Sequence, residues 1–130
     1  MKKLMAALVA LSVVIVLTAA SCGGSGSSSN NGNGNDVHMG TTTFTQPSVT
    51  ISKGSNVNLI DDVAVLHIIS NGSWVNGVGT PMQEPGAPTV SNLQFNTAGQ
   101  SMIVGPFNTA GTYHIYCSVH QNMNLTVIVQ

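Results

Sequence analysis

The stretch YCSVHQNM, residues 116–123, sets a thiol (Cys117), an imidazole (His120) and a thioether (Met123) three residues apart. The chain has two cysteines, and the other, Cys22, lies near the N-terminus. Thiolate and thioether are soft donors that select copper, the reduced ion above all, while imidazole suits both of its oxidation states. Two imidazoles and a thiolate in a trigonal set, with a distant methionine, make an electron-transfer copper site. A structural zinc site would not choose methionine, and a binuclear copper centre would need a second cysteine in this loop. A nucleophilic Cys117–His120 pair would want an orienting carboxylate or amide, and Asp61 and Asp62 are expected beyond the ligand end. The chain is therefore read as a binding protein and not as an enzyme. Taken singly, Cys117 reads equally well as a buried inert thiol, His120 as a surface loop residue and Met123 as a core plug. Their joint spacing favours a metal.

The elements that must hold these side chains read as all-β. Expected strands are 42–46, 48–52, 56–60, 64–70, 92–96, 101–105, 112–117 and 124–129, each short, rich in β-branched and aromatic residues, and bounded by Gly, Pro, Asn or Ser. Eight such strands in the 94 residues from Val37 to Gln130 point to a two-sheet antiparallel Greek-key sandwich. Residues 71–91, with Pro81, Pro85 and Pro88, read as a long irregular loop whose Trp74 packs back on the sandwich.

A strand's period of two places Tyr113, Ile115 and Cys117 on the core face and turns His114 and Tyr116 outward. Met123 keeps the parity of Leu125, Val127 and Val129, so thiol and thioether point to the same end of the sandwich. A second imidazole is needed. His114 faces the wrong way, and His38 lies at the end of a low-complexity segment where order is expected to be poor. His67 stands in the apolar run AVLHIIS, where an unpaired imidazole would be costly to bury. It is the best fourth ligand.

At the N-terminus, Lys2 and Lys3 precede the apolar run LMAALVALSVVIVLTAA, small residues and Cys22. That order describes an export signal over residues 1–21, and TAASC resembles a lipoprotein cleavage box that would make Cys22 the lipidated first residue. Cleavage after Ala20 to a soluble secreted or periplasmic form, or an uncleaved anchor, are the alternatives. Residues 22–36 form a Gly/Ser/Asn-rich tether. Without the signal, Lys53 is the only cation against Asp36, Asp61, Asp62 and Glu84, a formal net charge of −3. No basic patch exists to hold a phosphate backbone, so nucleic acid is a poor partner.

The stretch FNTAGTYHIYCSVHQNM resembles the copper-binding loop of the cupredoxins, the blue copper family that includes plastocyanin and amicyanin. The likeness extends over most of residues 42–129 and takes in His67, fifty positions before Cys117. It implies a β-sandwich with one mononuclear type 1 copper, Cu(I)/Cu(II), on His67, Cys117 and His120, with Met123 axial. It implies a one-electron carrier with the exposed edge of His120 as electron port; the expected partners are redox proteins in the membrane or the extracytoplasmic space, the expected state is a monomer, and outward Tyr116 reads as a plain surface tyrosine or as a second route. Many members follow the first histidine with an asparagine that ties the ligand loops together; this chain has Ile68, whose backbone N–H is left to serve the Cys117 sulfur. A copper carrier or store without redox cycling shares the same ligands, as does a metal-free module of the same shape. Lipidation would place the protein on the outer face of the cytoplasmic membrane.

Overall fold

A computed structural model describes residues 35–130. The expected signal peptide, Cys22 and the tether up to residue 34 lie outside the described residues. Nine strands follow in order: β1 Asp36–Met39, β2 Ser48–Ile51, β3 Val57–Asp61, β4 His67–Val75, β5 Val78–Pro81, β6 Leu93–Phe95, β7 Ser101–Val104, β8 Gly111–Cys117 and β9 Asn124–Val129. Alternation drives them: β9 buries Leu125, Val127 and Val129 and leaves the residues between half-exposed, and β3 buries Val57, Leu59 and Asp61 in the same way.

The strands form two sheets, one in the order β1-β3-β7 and one in the order β2-β9-β8-β4-β5, with β6 also paired to β4. One continuous core joins them, and Val37, Met39, Leu59, Ile115, Leu125 and Val127 in it are wholly buried. This is the expected all-β Greek-key sandwich. It is not purely antiparallel, because β1 runs parallel to β3 and β2 parallel to β9. The chain crosses to the other sheet between β1 and β3, so β3 returns beside β1 in the same direction. The same crossing logic sets β2 against the last strand.

Two expected elements differ. Residues 42–46 form no strand; they make a turn, closed by Gly40 N–H donating to the Thr43 carbonyl at 2.9 Å, and a single bridge from Phe44 to Met39. TTTFT offers only Phe44 to the core, whereas DVHM offers Val37 and Met39, so the edge strand forms earlier in the chain. His38 is accordingly ordered within β1, not trailing from the tether.

Residues 71–91 are also less irregular than expected. β4 runs on to Val75 and folds back as β5 through a two-residue turn. Asn76 and Gly77 occupy that turn with φ of 51° and 78°, the left-handed pair that a type I′ hairpin requires.

Candidate metal centre

β4 opens with His67 and β8 closes with Cys117, and the register that pairs Ile69 with Cys117 brings both to one end of the sandwich. A tight loop then returns the chain to β9. Met123 N–H donates to the His120 carbonyl at 3.2 Å, and Cys117 N–H donates to the Met123 carbonyl at 3.0 Å. The first bond closes a turn whose third residue needs positive φ, and Asn122 stands there at 64°. The His120–Met123 spacing is thus that of one turn, and the loop containing it returns His120 to within 3.5 Å of the Cys117 sulfur.

His67, Cys117 and His120 converge, the first two fully buried and the third half-buried. Nδ1 of His67 lies 3.2 Å from Nδ1 of His120 and 3.8 Å from Cys117 Sγ, and His120 Nδ1 lies 3.5 Å from that sulfur. A circle through three atoms so spaced has a radius of about 2.0 Å, close to a metal–nitrogen bond and slightly short of a metal–sulfur bond. Two imidazole nitrogens and a sulfur gathered around one point fit a soft-ligand cation. Met123 is buried in the core one residue before β9.

The other histidines lie outside this cluster. His114 faces away from the core, as its parity requires, with Nδ1 2.6 Å from Glu84 Oε1. His38 pairs through Nδ1 with Asp62 Oδ1 at 2.7 Å.

The connection between ligand loops runs through backbone and hairpin. The Ile68 carbonyl accepts from Ser118 N–H at 2.8 Å and from Ser118 Oγ at 3.3 Å. Trp74 Nε1 donates to the Cys117 carbonyl at 2.8 Å, and Gln121 Nε2 donates to the Gly77 carbonyl at 3.3 Å. Asn124 completes the strap, accepting from Trp74 N–H at 2.7 Å and donating to the Trp74 carbonyl at 3.2 Å. Tyr116, expected as a surface residue, is buried on the outer face of β8: Trp74 packs edge-on against it at 6.2 Å between centroids, and Gly79 of β5 leaves just enough room for its ring.

Asp61, expected beyond the ligand end, stands instead behind His67. Asp61 is completely buried, with Oδ1 3.8 Å from His67 Nε2. Its position was signalled by the alternation of Val57, Leu59 and Asp61, which puts a carboxylate on the core face. Burial pushes the His67 imidazole below its ordinary value of 6.5, with the Asp61 charge pulling it up, His120 pushing it further down and the Gly40 backbone raising it.

No protein-family model matches the chain, and no curated protein matches it. Among solved structures it is similar to amicyanins. Amicyanin from Paracoccus versutus shares 23% identity at a TM-score of 0.55, over 73% of this chain and 79% of that one. A reduced tryptophan-to-tyrosine variant of amicyanin shares 20% at 0.56, over 76% and 85%. An oxidised methionine-to-leucine variant shares 19% at 0.55, over 75% and 82%. The fold is that of the cupredoxins.

Proposed function

We propose that this protein is an extracytoplasmic one-electron carrier with a mononuclear type 1 copper site. The observation that carries the reading is the triangle of His67 Nδ1, His120 Nδ1 and Cys117 Sγ, with sides of 3.2 to 3.8 Å around a single point. These three residues would hold the metal, with the buried Met123 as a fourth, weaker donor. When bound, copper supplies a Cu(II)/Cu(I) couple at that point.

The chain's own residues supply the rest. Two of the three donors come from strand ends and the third from a turn closed by backbone hydrogen bonds, so the set is held before any metal arrives. Burial of His67, Cys117 and Met123 keeps water from the donors. His120 alone of the three clustered residues reaches the surface, and the exposed Leu66 and Val119 precede the two histidines in the chain. That apolar edge suits brief docking of a redox protein. The pattern of residues 1–21, expected as an export signal, and Cys22 after it are what favour a lipid-anchored location outside the cytoplasm.

Titration of the metal-free protein with copper tests the proposal. One equivalent should give an intense blue sulfur-to-copper charge-transfer band and a reversible voltammetric wave, and Cys117→Ser should abolish the band. A band that survives in the variant, or failure to take up copper, refutes the assignment; uptake without a reversible wave would favour a copper carrier instead.

A further inference from the structure

Behind His67, on the side away from Cys117 and His120, two buried polar atoms lack hydrogen-bond partners: His67 Nε2 and Asp61 Oδ2. Orphaned polar atoms are costly to bury, and here they belong to neighbouring side chains. Asp61 is anchored through its backbone. Its backbone N–H donates to the Gln100 carbonyl at 2.8 Å, its carbonyl accepts from Gly99 N–H at 2.6 Å, and Val63 N–H donates to Oδ1 at 3.3 Å. The 3.8 Å between Oδ1 and Nε2 exceeds a hydrogen bond by less than 1 Å. A small rotation of carboxylate or ring closes it and pairs the orphaned nitrogen.

We infer that Asp61 is a positioning residue for His67: its carboxylate accepts the Nε2–H and so holds the neutral imidazole in the tautomer that turns the Nδ1 lone pair towards Cys117 and His120. The opposite tautomer would let Nδ1–H donate to His120 Nδ1 at 3.2 Å but would set the Nε2 lone pair against a fully buried carboxylate, the costlier arrangement. Metal-binding histidines are commonly oriented by such a partner. The Gly40 backbone is the competing acceptor beside the ring. The use made of Nδ1 rests on the copper reading; the tautomer itself is a property of the metal-free protein.

Two measurements decide the matter. Long-range proton–nitrogen-15 correlation spectra of the metal-free protein should show His67 as the Nε2–H tautomer, with that proton protected from exchange. The Nδ1–H tautomer overturns the inference, and this measurement stands whether or not any variant folds. Asp61→Asn keeps the shape but removes the charge behind the ligand. Copper binding should weaken about 10- to 100-fold, the reduction potential should rise because the oxidised ion loses more stabilisation, and the remote-nitrogen couplings of His67 in pulsed electron paramagnetic resonance should change. Unchanged couplings and potential would mean that the Gly40 carbonyl, and not Asp61, holds the ring. Failure of the wild-type protein to bind copper would refute the proposed function while leaving the tautomer result to decide this inference.

Discussion

Asn124 offers the sharpest test of how the candidate centre is braced. Its amide spans the outer edge of β4, accepting from Trp74 N–H at 2.7 Å and donating to the Trp74 carbonyl at 3.2 Å. Asn124→Ala deletes both bonds and leaves two backbone groups of a half-buried residue unpaired. A net hydrogen bond contributes about 1 kcal/mol, and an orphaned buried partner costs about 1–3 kcal/mol. Partial exposure of Trp74 lets water recover some of this, so the expected loss is about 2 kcal/mol. For a domain of this size that is a fall in Tm of roughly 8–16 °C. Trp74 is the only tryptophan, so its fluorescence reports unfolding at the place perturbed. Urea and thermal melts of the metal-free protein supply the number. A loss below about 0.5 kcal/mol, the range of ordinary surface substitutions, would show that the hairpin does not depend on this amide and that the strap is an incidental contact.

Met123→Leu should keep the core filled, since the swap nearly conserves volume. If Met123 is the weak fourth donor of the proposed site, copper should still bind while its potential shifts; cyclic voltammetry checks this, and an unchanged potential would make Met123 packing alone. The metal-free protein should lose stability as pH falls. His67 has its folded pKa lowered from 6.5, so below that value the unfolded chain binds the proton that the folded one resists. The loss therefore begins near the unfolded value and grows until the folded imidazole also protonates. Urea midpoints that stay flat between pH 7 and pH 5 would contradict it.

Much of this was written locally. Cys117, Tyr113 and Ile115 share the core face because a strand alternates its side chains, whatever it pairs with. Asn76–Gly77 is equally legible, since that dipeptide is a strong hairpin signal, although Pro81, Pro85 and Pro88 downstream favour a loop over the same stretch. TTTFT is the converse case: β-propensity with only Phe44 to bury makes no strand, because packing outweighs propensity.

What the chain states on its own is a donor set and its direction: a thiol and an imidazole three residues apart, an apolar strand carrying a second imidazole, and a parity that rejects His114. What only folding decides is company. That Asp61 stands behind His67, that a tryptophan from a distant hairpin grips the Cys117 carbonyl, and that Tyr116 is covered all depend on strand register and on crossings between sheets. Those are contacts between residues far apart in sequence, and no period in the sequence encodes which of them will meet.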